Sequence, residues 1–132
     1  FQPRDRKKIL VVDDQGFNLT ALELILKHKC GVDTGKYLVK ADGGLKAVQI
    51  IKENVAMNHG AACDFDLVLM DCNMPDLDGY EATLQIRQHL YEHGIKQPLI
   101  SAVTGHTEDS YVKMAIESGM NQVLAKPVKS PF

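Results

Sequence analysis

Charged and hydroxyl side chains stand in this sequence where four short, mainly apolar runs end. The runs are residues 8–12, 67–70, 99–103 and 123–125, and they end at Asp13 with Asp14, at Asp71, at Thr104 and at Lys126. Buried parallel strands read as continuous apolar segments, and open α/β sheets bind ligands beyond the carboxyl ends of their strands. We therefore expect three carboxylates, a hydroxyl and an ammonium to meet at one edge of a sheet, as in a cation-assisted phosphoryl site.

The carboxylates of Asp13, Asp14 and Asp71 predict a bound cation. Carboxylates held close together repel one another, and their charged forms persist together only with a compensating positive charge. Mg²⁺ suits such a cluster, because it prefers oxygen ligands, keeps several waters and takes one or two carboxylates. Acidic residues after a strand can also do no more than solvate a loop. Loop solvation would be a sufficient explanation for Asp13 or Asp14 alone, but not for the three aspartates together with Thr104 and Lys126.

Asp71 is the predicted nucleophile, because an ionised aspartate can form an acyl phosphate. Phosphoryl transfer needs mainly positioning and the neutralisation of charge on the equatorial oxygens. Mg²⁺ would neutralise one oxygen, the Lys126 ammonium a second, and the Thr104 hydroxyl could donate to the third, while Gly105 leaves room for the group. A lone lysine is usually a solvated surface charge, but Lys126 ends an apolar strand and precedes Pro127, which stops the strand.

Strand and helix signals alternate along the chain, which is typical of a parallel sheet covered by helices on both faces. Apolar residues at spacings of three and four predict the helices. The predicted elements are a helix over 18–29 capped by Asn18, a strand over 37–41, a helix after Gly43 and Gly44, a helix over 80–93, and a helix from the N-cap Thr107 to Gly119. Residues 30–35 and 58–64 are interpreted as surface insertions.

Length and composition predict one domain, over residues 8–132, after a polar linker of residues 1–7 from a longer polypeptide. The 132 residues are 45% hydrophobic and 24% charged, as in ordinary globular domains. The net charge of −2 gives no electrostatic basis for binding nucleic acid or an anionic membrane, and no apolar run approaches the roughly 20 residues that span a bilayer. Three cysteines without a CxxC spacing argue for a reducing, cytoplasmic setting.

Two other interpretations have less support. His89, Glu92 and His93 match the HxxEH signature of inverted zinc metallopeptidases. A catalytic zinc needs a third protein ligand and a substrate cleft, however, and these residues fall on the solvated side of a predicted helix. A flavodoxin-type cofactor binder would share the fold, but Asp13 and Asp14 would repel a phosphate unless a cation intervened. Neither GxGxxG nor GxxxxGK occurs, so nucleotide-binding loops of those kinds are not supported.

Four separated motifs resemble, in the right order, the receiver domain of two-component response regulators over about residues 8–128. They are VVDD at 11–14, LMDCNMPDLDG at 69–79, AVTG at 102–105, and GM at 119–120 with AKP at 125–127. The pattern at 81–83 and 86–87 is most similar to receivers attached to hybrid sensor histidine kinases. The resemblance implies an α/β fold with a doubly wound, five-stranded parallel sheet of order 2-1-3-4-5, the flavodoxin-like receiver fold.

The resemblance also implies a metal site and a phospho-acceptor. Asp71 would accept the phosphoryl group. Asp14 and the backbone carbonyl of Asn73 would join Asp71 as Mg²⁺ ligands, and Asp13 would act in the same acidic site through water. The donor would be a phosphohistidine, either on a histidine kinase or on a histidine phosphotransfer domain.

Thr104 and Lys126 would, by the same resemblance, bind the phosphoryl group and report its arrival. Asn73 and His106 flank the route by which water would attack the acyl phosphate, and we expect both to tune its lifetime. The isolated domain would assist only its own phosphorylation and dephosphorylation, so it is not expected to be an enzyme. It would relay the phosphoryl group or switch its affinity for a partner.

Two departures from the receiver pattern affect this prediction. Receivers usually carry Tyr or Phe three residues before the last-strand lysine, whereas this chain has Val123, which puts that aromatic form of read-out in doubt. Only six residues follow Lys126, so we expect the fifth helix of the family to be truncated or missing. The alternative function is a pseudo-receiver that is never phosphorylated and acts as a protein interaction module.

Overall fold

The computed structural model describes residues 7–126, which form a five-stranded parallel sheet with helices on both faces. The strands are β1 (Lys8–Val12), β2 (Leu38–Ala41), β3 (Phe65–Asp71), β4 (Leu99–Thr104) and β5 (Gln122–Ala125). Their order across the sheet is β2-β1-β3-β4-β5, and every neighbouring pair is parallel. The predicted fold class and strand order are confirmed.

Five helices lie within residues 7–126. They are α1 (Gly16–His28), α2 (Thr34–Tyr37), α3 (Gly44–Met57), α4 (Gly79–Glu92) and α5 (Asp109–Glu117). The single turn α2 overlaps the stretch interpreted as a surface insertion, and four residues are too few to show a helical apolar period. The predicted truncation or loss of the family's last helix concerns the segment after Lys126, which lies outside the described residues.

Alternate side chains of each strand point to opposite faces of the sheet, and both faces are covered. On β3, Val68 and Met70 join a core cluster with apolar residues of α3 and α4. Leu67 and Leu69 join a second cluster with the apolar face of α1. Because neither face of its central part meets solvent, residues 67–70 of this strand read as an unbroken apolar run.

The strand register brings the polar residues to one edge. β1 and β3 are in register up to their carboxyl ends, so Asp13, the first residue after β1, comes beside Asp71, the last residue of β3. β4 and β5 are in register in the same way, so Lys126 follows β5 next to the end of β4 at Thr104. Among the described residues, no helix combines the length and apolar character needed to cross a bilayer.

Two predicted helix starts are wrong by one or two residues. α1 begins at Gly16, so Asn18 lies inside the helix rather than at its N-cap. The N-cap of α5 is Glu108 rather than Thr107, and it makes no side-chain capping hydrogen bond. Gly119 follows the end of α5 with φ of +101°, as predicted for a glycine that ends a helix.

Candidate functional site

Three carboxylates meet at the carboxyl edge of the sheet. Ligand oxygens of Asp13, Asp14 and Asp71 all lie within 4.8 Å of one another. Asp13 and Asp71 are buried, whereas Asp14 is more exposed to solvent. Within residues 7–126 this is the only group of three potential metal-ligating side chains at such spacing. We call these three residues the acidic triad.

Lys126 contacts two members of the acidic triad. Its Nζ atom lies 3.1 Å from Oδ2 of Asp13 and 3.1 Å from Oδ1 of Asp71, to which it donates a hydrogen bond. One ammonium therefore faces three carboxylates, two of them buried. The site keeps an excess of negative charge, and a divalent cation would balance it.

Backbone amides fix the orientation of the two buried carboxylates. Oδ1 of Asp13 accepts a hydrogen bond from the backbone N–H of Gln15 at 2.9 Å and one from Nδ2 of Asn18 at 3.4 Å. Oδ1 of Asp71 accepts one from the backbone N–H of Asn73 at 3.4 Å. Asn18, predicted as a helix cap, instead holds the first aspartate of the site, because the earlier start of α1 turns its amide towards the strand edge.

The pKa of Asp71 is raised above its ordinary value. Burial is the largest cause, and the charge of Asp13 adds to it, while the hydrogen bond from Lys126 works in the opposite direction. Burial lowers the pKa of Lys126, but its hydrogen bonds to Asp71 and Asp13 outweigh this and raise it overall. The shift of the Asp71 pKa thus reflects mainly its burial, and that of the Lys126 pKa reflects the two carboxylates that it contacts.

The residues present fit a small, hard divalent cation. All the side-chain ligand atoms of the acidic triad are carboxylate oxygens, which Mg²⁺ prefers. Oδ2 of Asp13 is buried and, apart from its ion pair with Lys126, accepts no well-directed hydrogen bond. An oxygen in that position is available to a metal ion or to a water bound to one.

Thr104 lies at the same sheet edge and is buried. Its Oγ1 accepts a hydrogen bond from the backbone N–H of His106 at 3.0 Å, and its carbonyl oxygen accepts one from the backbone N–H of Lys126 at 2.9 Å. The ring of His106 stacks on Tyr111 of α5 with 4.6 Å between the ring centroids. Gly105 is exposed, with open space at the position of a Cβ.

Val123 is half-buried and packs against the core cluster on the α3 and α4 face. It has no aromatic ring that could rotate between a buried and an exposed position. The stacked pair of His106 and Tyr111 is the aromatic contact nearest to Thr104 along the chain. The effect of His106 and Asn73 on the lifetime of an acyl phosphate stays a prediction.

The loop from Cys72 to Asp78 is held by contacts that the sequence does not reveal. The carboxylate of Asp76 accepts a hydrogen bond from the backbone N–H of Leu45, in the first turn of α3, at 3.2 Å. Backbone hydrogen bonds, first from Leu77 and also from Leu45, lower the pKa of Asp76. Asp78 caps α4 by accepting from the backbone N–H of Glu81 at 2.8 Å. The two aspartates tie the second half of this loop to the first turns of α3 and α4.

Comparison with known proteins identifies the family. The family of the response regulator receiver domain matches residues 9–131. The chain belongs to the receiver-domain family. This receiver domain is 32% identical over 133 residues to the probable histidine kinase 2 of Oryza sativa subsp. indica, an alignment that covers 97% of this chain. It is 34% identical over 125 residues to the histidine kinase CKI1 of Arabidopsis thaliana, covering 91% of this chain. These alignments span only 12% and 11% of the two kinases.

Solved receiver domains share the fold. The receiver domain of CKI1 from Arabidopsis thaliana, complexed with Mg²⁺ and BeF₃⁻, superposes with a TM-score of 0.80 at 32% identity, over 90% of this chain and 80% of that one. The co-crystal structure of the Saccharomyces cerevisiae phosphotransfer protein Ypd1 with the receiver domain of Ssk1 gives a TM-score of 0.75 at 29% identity, over 96% and 83%. The relatives that this receiver domain matches include receivers of signalling kinases.

Proposed function

We propose that this receiver domain accepts a phosphoryl group on Asp71 as one step of a two-component phosphorelay. The observation that carries the proposal is the acidic triad itself, with Lys126 in contact with two of its carboxylates at the carboxyl edge of the sheet. Asp71 ends the central strand, and its neighbours on both sides are buried. A nucleophile in this position is rigidly held while its carboxylate faces the open edge.

Mg²⁺ is the cofactor that we propose, since the receiver domain of CKI1 is complexed with it. Asp14, Asp71 and the backbone carbonyl of Asn73 would hold the ion, and Asp13 would contact it through water. When bound, the ion supplies positive charge to one oxygen of the transferred group. The same charge would relieve the repulsion among the carboxylates.

The chemical step exchanges one bond to phosphorus for another. An oxygen of the Asp71 carboxylate forms a bond to the phosphorus atom of a phosphohistidine, and the P–N bond breaks with its electron pair going to the departing imidazole. The Lys126 ammonium, already 3.1 Å from Oδ1 of Asp71, would neutralise an oxygen of the transferred group. The protein contributes position and charge, which is what phosphoryl transfer requires.

Thr104 is the residue that we propose senses the new group. Its hydroxyl now accepts a hydrogen bond from the backbone N–H of His106, and a hydroxyl can donate while it accepts. We propose that it donates to a phosphoryl oxygen and so transmits the phosphorylation of Asp71 to the loop between β4 and α5. This would change the affinity of the domain for its partner.

A phosphohistidine on a histidine kinase or on a phosphotransfer domain is the proposed donor. The Ypd1 complex with the Ssk1 receiver supports this class of partner, and the kinase relatives support an origin in a hybrid histidine kinase. The isolated domain would catalyse only its own phosphorylation and dephosphorylation. We propose the cytoplasm as its compartment, because Cys30, Cys63 and Cys72 form no disulfide with one another, and we propose no contact with nucleic acid or membrane.

Phosphorylation in vitro tests the proposal. The full chain is incubated with acetyl phosphate and Mg²⁺, and intact-mass spectrometry is expected to find one added phosphoryl group, which is lost in Asp71→Asn or when EDTA removes the Mg²⁺. Asp42→Asn is the matched control, because Asp42 follows β2 at the same sheet edge, is exposed and lies outside the acidic triad. Undiminished labelling of Asp71→Asn would refute the assignment. If neither acetyl phosphate nor a phosphorylated phosphotransfer domain labelled the wild-type chain, the domain would be a pseudo-receiver, the alternative that Val123 suggests.

A further inference from the structure

His89 and His93 lie together at the end of α4, away from the acidic triad. They are one helical turn apart, and their ring centroids are separated by 4.4 Å with an angle of 45° between the rings. α4 begins at Gly79, next to Asp71, and runs for 14 residues. At a rise of about 1.5 Å per residue, its last turn lies roughly 20 Å from its start.

A hydrogen bond fixes which nitrogen of His93 is free. The Nδ1 atom of His93 lies 2.9 Å from the backbone carbonyl oxygen of His89. A carbonyl oxygen only accepts, so Nδ1 carries the hydrogen and Nε2 carries the lone pair. Metal-binding histidines show this arrangement, in which one ring N–H donates to a carbonyl while the other nitrogen binds the metal.

The pair is open to solvent. His93 is exposed and His89 is partly exposed. Both imidazoles are therefore accessible from solvent, and His89 lines a groove between α3 and α4 together with Lys52 and Glu92.

We infer that His89 and His93 form a two-imidazole binding site for a late first-row divalent metal ion such as Zn²⁺, Ni²⁺ or Cu²⁺. Imidazole nitrogen suits these ions, whereas Mg²⁺ prefers the oxygens of the acidic triad. In the described part of the chain, the pair has no third His, Cys, Asp or Glu close enough to complete a three-residue group. Water fills the remaining positions, so the site binds metal but lacks the third protein ligand of a catalytic zinc centre.

Titration with Zn²⁺ tests the inference. The full chain carrying Asp71→Asn is used in excess Mg²⁺, so that the acidic triad does not compete for zinc. Isothermal titration calorimetry is expected to find one equivalent of bound Zn²⁺. His89→Ala and His93→Ala should each weaken binding about tenfold or more, because each leaves a single imidazole. His59→Ala is the matched control, since His59 is an exposed histidine of the neighbouring loop, and it should leave the affinity unchanged.

A second measurement tests the site without histidine substitutions, which could affect folding. Nitrogen-15 NMR of the imidazole rings should show His93 protonated at Nδ1 in the metal-free chain and a shift of its Nε2 signal as Zn²⁺ is added. The inference is overturned if His93→Ala binds Zn²⁺ as tightly as the parent, or if the parent shows no binding. A loss of affinity in His59→Ala would also overturn the two-residue site. Phosphorylation of Asp71 does not enter either measurement, so failure here is distinct from failure of the proposed function.

Discussion

Asp71, Asp13 and Lys126 are an ion cluster with more negative than positive charge. The two carboxylates are buried and share one ammonium at 3.1 Å from each. Such an arrangement destabilises a fold unless a further cation is bound, because burial and mutual repulsion disfavour the charged carboxylates. The function that we propose accounts for this cost, since the same excess of negative charge would attract Mg²⁺ and would leave a carboxylate available to accept a phosphoryl group.

The raised pKa of Asp71 predicts how stability depends on pH in metal-free protein. A carboxyl whose pKa is higher in the folded state than in the unfolded state binds protons more tightly when folded. It therefore contributes stability that is fully present below the unfolded value of about 3.9 and is lost as the pH rises through the folded pKa. Asp71→Asn should remove this part of the pH dependence and raise the free energy of unfolding near neutral pH.

Urea unfolding in EDTA, from about pH 4 to about pH 7, measures the effect. Asp42→Asn, the exposed control at the same sheet edge, should keep the wild-type pH profile. An Asp71→Asn variant that is less stable than the wild type at neutral pH in EDTA would contradict the charge imbalance described for the cluster.

At the scale of elements, the strands and their order could be anticipated, but the contacts of the loops could not. The inner strands β1, β3 and β4 are largely buried on both faces, so each leaves a mainly apolar run in the sequence. The carboxyl ends of such runs mark the edge where the acidic triad and Lys126 meet. Asp76 and Asn18 were missed as supports of this edge, because each bonds to a partner on another element or turn that only the folded chain brings near. The predicted cap at Thr107 is wrong because local preference favours threonine over glutamate at an N-cap, whereas the folded chain starts α5 one residue later.

The start of α4 is packed closely under β3, and we therefore expect Gly79 and Gly16 to differ sharply in how well they tolerate alanine. A Cβ added to Gly79 would overlap the backbone carbonyl oxygen of Asp71, and strand backbone cannot move aside. A Cβ on Gly16, the first residue of α1, would meet nothing within 4 Å. Gly79→Ala should lower the free energy of unfolding by about 2–3 kcal/mol and weaken Mg²⁺ binding, because the end of β3 carries Asp71.

Gly16→Ala provides the control for that comparison. Alanine favours helix over glycine by up to about 1 kcal/mol, so this variant should be as stable as the wild type or slightly more stable, with Mg²⁺ affinity unchanged. Urea denaturation and Mg²⁺ titration of both variants make the comparison. Equal stability of the two variants would show that the contact between α4 and the end of β3 is looser than described.

On the scale of the whole molecule, the site lies at one end of the strands, and the half-buried side chain of Arg87 joins elements at the other end. Arg87 of α4 donates to the carbonyl oxygen of Gly119 through Nε at 2.9 Å and through a terminal nitrogen at 2.7 Å. It also donates to the carbonyl oxygen of Pro98 and to side-chain oxygens of Gln97 and Asn121. One guanidinium thus joins α4 to the segment before β4 and to the turn before β5, a role that the receiver resemblance of the sequence did not assign to it.

Replacing Arg87 should therefore loosen the sheet without changing the chemistry at Asp71. In Arg87→Met the carbonyls of Gly119 and Pro98 lose their donors, and we expect the free energy of unfolding in urea to fall by about 2–4 kcal/mol. Arg87→Lys should restore only part of this, because an ammonium lacks the planar fork that reaches several acceptors at once. Lys113→Ala, which removes an exposed cation 3.9 Å from Glu117, should change stability by less than about 1 kcal/mol. Labelling by acetyl phosphate should persist in all three variants under native conditions.

If Arg87→Met unfolded at the same urea concentration as the wild type, the prediction that the guanidinium joins these elements would be wrong.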